Sequence, residues 1–451
     1  MTRTLAALTA ALVAWDVSAQ TPEAPPPASA TPPAASAPAA PAVPSVPVAP
    51  EPEKRAAPER KAEPEKKVEK GTYVLGEKSK ISISGRAWTS FENVRASAGS
   101  AAGASKVPDR FRLQNDSSYL RVRGETELLA GWKALAQLEA EFGIEGENGL
   151  PFSGTRNTGV GLGTPYGTLI LGRWDSPSKQ TTIGLDPFAG TGIFGYYNVF
   201  GQQQASESSS GSNRWDRRLN NSLNYTSPTL AGLTLLAAYS VGETPRNGTI
   251  PVDPYTASAA LHYKVGPLYV GASYETRNDC GNPDADAPGG PSCNQAALGS
   301  ATQPNGTDRA IRAGAGYTSK WTFTKVTAAY EHIDLEADAT ATATKKTLRR
   351  DVYWGSITQG VFGDRHQLIL AYGVATKASG TGVFTDSART GASYVMGAYR
   401  FWLNKDTDLY AAFTQLANER NASYRFGSGN FGSVPVGSTS TGYGAGMRFM
   451  F

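Results

Sequence analysis

Four arginines offer the clearest chemistry in this sequence. Arg86, Arg121 and Arg123 lie in the runs "ISISGRAWTSF" and "SSYLRVRGETEL", where apolar and polar residues alternate, and Arg173 lies in the neighbouring strand "GTLILGRWDSP". Alternate positions of an extended strand share one face, so these guanidinium groups would form a row on one side of neighbouring strands. A row of one charge sign, facing a narrow passage with low-dielectric walls, selects ions of the other sign. The chemistry is then filtration of solutes with a weak preference for anions. Asp186, in a long connection, would supply the opposing negative side, and Tyr119 would stand in the same constriction. The competing assignment for each arginine is an ion pair with a nearby acid such as Glu125 or Glu139, which would cancel its field. Sequence leaves both open.

Bond-making chemistry has less to rest on. A hydrolase or protease needs a Ser–His or Asp–His assembly, and His262, His332 and His366 occur singly on different strands or turns. Two cysteines without neighbouring histidines do not make a metal site, and no cofactor is expected. Cys280 and Cys293 share a Gly/Pro/Asp-rich loop, where an oxidising compartment would favour a structural disulfide. A net charge of +4, with no basic cluster interleaved with aromatics, argues against nucleic acid as a partner.

The elements that would carry the arginines are strands. In "GWKALAQLEAEFG", Trp132, Ala134, Ala136, Leu138, Ala140 and Phe142 oppose Lys133, Gln137, Glu139 and Glu141. Strict alternation is a β signal, and runs of this kind recur to "TGYGAGMRFMF", where Tyr443, Ala445, Met447, Phe449 and Phe451 share an apolar face. Short connections such as "KVGPL" and "NKDTD" alternate with long ones rich in Gly, Ser, Asn and Asp. About 16 strands joined in this way fall in the range of bacterial outer-membrane barrels. A soluble sandwich would need large side chains meeting across its inner faces. Here one face is rich in Ala and Gly, and the other carries Arg, Glu, Lys and Gln. Trp88, Trp132, Trp174, Trp321, Tyr399 and Trp402 lie near predicted strand ends, as aromatic girdles would. The reading is an all-β, transmembrane, antiparallel barrel closed on itself, because hydrocarbon tolerates no unpaired sheet edge.

Ahead of the barrel, residues 1–19 read as a signal peptide, with Arg3, an apolar stretch from Leu5 to Trp15, and small residues at 17–19. Residues 20–70 form an arm, first Pro/Ala-rich and then of interleaved acid and base. It reads either as a solvated periplasmic tether or, through residues 21–70, as a contact with the cell-wall polymer or a short bundle between subunits. The barrel is assigned to 71–451.

The residues then resemble the trimeric general porins of Gram-negative bacteria, of the beta-proteobacterial type. "RLNNSLNYTSPTLAGL", "LNKDTDLYAAF", "GTLILGRWDSP" and "GYGAGMRFMF" carry the resemblance as a set, over about residues 80–451. Two departures are Tyr119, where the family often has a basic residue, and the arm. The resemblance implies a passive outer-membrane channel for ions and small hydrophilic solutes, with a homotrimer in contact with outer-membrane lipid and lipopolysaccharide. It also implies that the third long loop folds into the lumen, bringing Ile193, Phe194, Tyr196, Tyr197, Val199 and Phe200 inside. An external loop used in subunit packing is the alternative. Two rival functions stay open: a substrate-specific channel for small organic anions or sugars, and a structural tether from the outer membrane to the cell wall.

Overall fold

The alternating runs are strands, and their two faces are unlike. Phe91, Phe111, Leu171, Leu261, Tyr353, Leu370 and Phe413 point outward and are exposed, while Ser90, Glu92, Ser258, Glu275, Arg312, Glu331 and Arg400 are buried on the inside. In the computed structural model the described residues are 71–75, 78–144, 154–203, 212–213, 215–242, 255–278, 306–337, 346–381, 389–426 and 433–451. The expected signal peptide, the arm and the Cys280–Cys293 ring lie outside them.

Sixteen strands form one closed antiparallel ring. They are β1 Ser79–Ala96, β2 Val107–Asn115 continuing as Tyr119–Leu129, β3 Trp132–Glu141, β4 Thr158–Thr164, β5 Gly167–Asp175, β6 Arg218–Thr226, β7 Leu233–Val241 and β8 Tyr255–Val265. The second half comprises β9 Leu268–Asn278, β10 Thr307–Ser319, β11 Thr324–Ala337, β12 Lys346–Gly360, β13 His366–Ala375, β14 Ala392–Asn404, β15 Thr407–Asn418 and β16 Thr439–Met450. Each pairs with its sequence neighbour, and β16 closes on β1 from Arg86↔Met450 to Ala96↔Ser440. With the ring closed, no edge is left unpaired in hydrocarbon. A short strand, Thr72–Leu75, pairs with Ser79–Ser82 and prolongs the line of β16 past Phe451.

A small residue stands at the end of the closing ladder. Phe451 and Gly85 exchange backbone hydrogen bonds at 3.1 and 2.9 Å. A Cβ on Gly85 would lie 2.5 Å from the Phe451 ring and 2.6 Å from the Tyr119 carbonyl. Only glycine lets the wall and the ring approach so closely.

The packed core lies inside the barrel and is built by the connection between β5 and β6. Ser176 caps a helix, α1 Pro177–Thr182, by accepting from Lys179 N at 3.1 Å, and Pro177 starts it. Phe188, Ile193, Phe194, Tyr196, Tyr197, Val199 and Phe200 are buried against Trp88, Trp354, Tyr394 and Tyr410 of the wall. Each such side chain contributes about 1.5–3 kcal/mol when taken from water. The wall makes room for the loop: a Cβ on Gly314 would lie 2.3 Å from Leu185 Cδ1. It also donates hydrogen bonds to the loop's carbonyls, from Tyr269 to Thr181 (2.8 Å), Thr327 to Leu185 (2.8 Å), Arg400 to Pro187 (2.8 Å) and Tyr394 to Ile193 (3.0 Å). The third long connection thus folds inward.

Two residues assigned to the aromatic girdles are inside. Trp88 is 1% exposed, stacks 6.2 Å from Phe188 and donates to the Tyr410 hydroxyl at 2.9 Å. Trp402 lies 5.2 Å from the Arg448 guanidinium, which pairs with buried Asp408. The reason is parity: both share the side of the strand that carries Arg86 or Arg400, and distance from a strand end does not set the face.

Candidate functional site

The site begins where β2 breaks. Asn, Asp and Ser side chains compete for their own backbone, and in Asn115-Asp116-Ser117-Ser118 they interrupt the ladder. Ser118 N donates to Asn115 Oδ1 at 3.0 Å, and Ser117 takes a left-handed φ of 70°. The Ser118 hydroxyl replaces the lost ladder bonds, accepting from Trp88 N at 2.8 Å and donating to Trp88 O at 3.0 Å. The break also frees the Ser117 carbonyl to accept from Arg86 Nη2 at 2.9 Å.

Tyr119, which follows the break, is the hub of an arginine cluster. The guanidinium carbons of Arg86, Arg121 and Arg156 lie 5.3, 5.3 and 4.9 Å from its ring centroid, within cation–π range. Glu139, 1% exposed, accepts from Arg121 at 2.6 Å on one oxygen and from Arg156 at 2.7 Å on the other. Arg156 also reaches Glu141 at 3.3 Å and Ser117 Oγ at 2.5 Å. Arg123 pairs with Glu125 at 2.9 Å, and Lys80 holds the second oxygen of Glu125 at 3.2 Å.

A second group continues along the wall through Asn157, which donates to Asp175 at 2.8 Å and accepts from Arg218 at 3.2 Å. Asp175 also pairs with Lys179 at 2.8 Å and Arg218 at 3.4 Å. Burial, with Arg218 alongside, holds the Lys179 ammonium below its ordinary value. Arg173 donates to Asn220 Oδ1 at 2.5 Å. Among the described residues neither Arg86 nor Arg173 has a carboxylate at ion-pair distance. Apart from the Lys80–Arg123–Glu125 set, the two groups hold six cations (Arg86, Arg121, Arg156, Arg173, Lys179, Arg218) against three carboxylates (Glu139, Glu141, Asp175), an excess of three positive charges.

The expected residues are therefore divided. Arg86, Arg121 and Tyr119 come together, and Arg123 stands beside them, neutralised by Glu125. Asp186 does not face them as the opposing charge. Its carboxylate is turned into its own loop, accepting from the backbone N–H groups of Phe188 (3.0 Å), Gly190 (2.7 Å) and Tyr196 (2.7 Å). Burial pushes that carboxyl up to about 6 in spite of these donors. Arg156, Lys179 and Arg218 were not singled out in the sequence. Arg156 sits in "SGTRNTG", which has no alternation to read. Lys179 is in a short loop helix, and Arg218 opens its strand, separated by one residue from the asparagines. The histidines are placed singly, His262 against Thr181, His332 against Asp351 and His366 against Tyr399.

A closed 16-stranded barrel with an inward loop and a charged inner wall can now be set beside known proteins. A family model described as Gram-negative porin matches residues 34–421. The chain belongs to that family. Outer membrane porin protein 32 of Delftia acidovorans is 31% identical over 156 residues, a stretch covering 34% of this chain and 42% of that relative. An anion-selective porin from Comamonas acidovorans has the same fold, with a TM-score of 0.65 at 20% identity over 83% of this chain and 100% of that one. OmpT of Vibrio cholerae, folded in vitro, gives a TM-score of 0.55 at 13% identity over 84% and 99%. This porin is an outer-membrane β-barrel. Such barrels carry their short turns on the periplasmic side, which places the turns at 130–131, 165–166, 266–267 and 405–406 there.

Proposed function

We propose that this porin is a passive diffusion channel for ions and small hydrophilic solutes, with a preference for anions. The observation that carries the reading is the excess of three positive charges on the inner wall beside the inward loop. In a water-filled lumen with low-dielectric walls, that excess raises the local concentration of anions and lowers that of cations. The Comamonas neighbour, described as anion-selective, supports the same reading. A homotrimer in outer-membrane lipid and lipopolysaccharide is part of the proposal, supported by the exposed apolar belt and by a trimer form described for OmpT.

The test is single-channel recording in a planar bilayer with a KCl gradient. Ohmic steps appearing in threes, with a reversal potential on the chloride side, are expected. Cation preference would leave the channel and remove the role of the arginines. Absence of conductance would remove the channel.

A further inference from the structure

A second cluster of cations lies apart from the arginines. Beneath α1, at the rim of the short turns, a cavity of about 830 Å³ opens between the loop and the inner faces of β8 to β11. Its charged lining residues are Lys264, Lys320 and Lys325, with no carboxylate among the described lining residues. Lys325 Nζ gives one hydrogen bond, to Gly184 O at 3.1 Å, which leaves ammonium hydrogens for a ligand. Asp186, the acid nearest in sequence to this part of the loop, has its oxygens on three backbone amides.

Behind the lysines the surface is aromatic and fixed. The His262 and Tyr269 rings stand 5.6 Å apart, edge to face. Both are tied to Thr181 of α1, through His262 Nε2 to Oγ1 (3.1 Å) and the Tyr269 hydroxyl to the carbonyl (2.8 Å). Leu185 adds an apolar wall. A mostly apolar pocket of this size with a few convergent polar groups is the usual form of a small-molecule site. An apolar floor beneath ammonium groups, with no carboxylate among the described lining residues, suits one class of solute, in which a flat ring and an anion are joined.

We propose that this cavity binds small aromatic carboxylates from the periplasmic side, the ring against Tyr269 and His262 and the carboxylate on Lys264 and Lys325. The site is separate from the arginine cluster, and it gives the channel a solute preference that charge alone would not. The inference rests on the channel reading only for its detection by current, so binding is also read without current.

The experiment is isothermal titration of the purified full-length protein with benzoate, acetate and benzyl alcohol, together with benzoate block of the KCl current from each side. Benzoate is expected to bind more tightly than either control and to block from the periplasmic side. Lys264→Gln and Lys325→Gln should each weaken it about tenfold, the size of one charge-assisted hydrogen bond, while Arg95→Gln, an exposed residue paired with Asp109, leaves it unchanged. Benzoate binding no better than acetate, or binding weakened as much in Arg95→Gln as in Lys264→Gln, would overturn the proposal. Benzoate binding to a protein that carries no current would overturn the channel and leave this site standing.

Discussion

Two arginines on one face of adjoining strands differ in what their charge meets. Arg123 lies 2.9 Å from the Glu125 carboxylate, so its field is largely cancelled. Arg86 donates to the Ser117 carbonyl and rests 4.7 Å from the Trp88 ring, partners that carry no net charge. At about 8 Å in water-like dielectric a unit charge acts on a passing ion with about 0.5 kcal/mol, roughly a factor of two in occupancy. Arg86→Gln is expected to lower the chloride-to-potassium permeability ratio about twofold, and Arg123→Gln to change it little. Reversal potentials in a KCl gradient measure both, and equal shifts would contradict the assignment. The alternation of "ISISGRAWTSF" and "SSYLRVRGETEL" assigned these residues to the face that also carries buried Trp88 and Ser90. It did not say which were neutralised, because that depends on cross-strand neighbours and on Arg156, which lies outside any readable pattern.

At the scale of the element, the inward loop is held by a buried latch. Arg312 of β10 pairs with Glu331 of β11 at 2.7 Å and with Asp216, near the loop's far end, at 2.8 Å. Asp216 also accepts from the Tyr196 hydroxyl at 2.8 Å, and Glu331 accepts from Gly201 N at 2.9 Å. Breaking a buried pair on one side leaves an uncompensated charge and costs about 3–5 kcal/mol. Asp216→Ala should therefore loosen the loop while the sixteen strands stay paired. The expected result is a larger and noisier unitary conductance, with barrel folding by heat-modifiable gel mobility unchanged. A conductance identical to that of the unaltered protein would show that the apolar contacts alone hold the loop. The resemblance to the porins implied that it turns inward, and its apolar middle, "IFGYYNVF", suited that placement. The latch was not legible, since Arg312 and Asp216 lie 96 residues apart.

For the whole molecule, closure of the ring is the step on which everything else depends, and it converges on Gly85. Gly85→Leu would force a side chain between the Phe451 ring and the Tyr119 carbonyl, and overpacking of this kind costs about 1–3 kcal/mol. A lower unfolding temperature in the gel-mobility assay is expected, whereas Gly124→Ala, where a Cβ would meet nothing within 4 Å, should leave it unchanged. If both variants melted alike, the Gly85–Phe451 contact would not limit closure. The sequence by itself determined the strands, their two faces and therefore a barrel with a charged interior, because a period of two residues is local and dictates which side each residue takes. It even marked Phe451 as part of the final apolar face. Only the tertiary structure decided that the Asp186 carboxylate is turned into its own loop, and that Arg86 and Arg173, of the six cations on the inner wall, have no carboxylate at ion-pair distance among the described residues. Those outcomes depend on register and on contacts between residues far apart in the chain, and no local period encodes either.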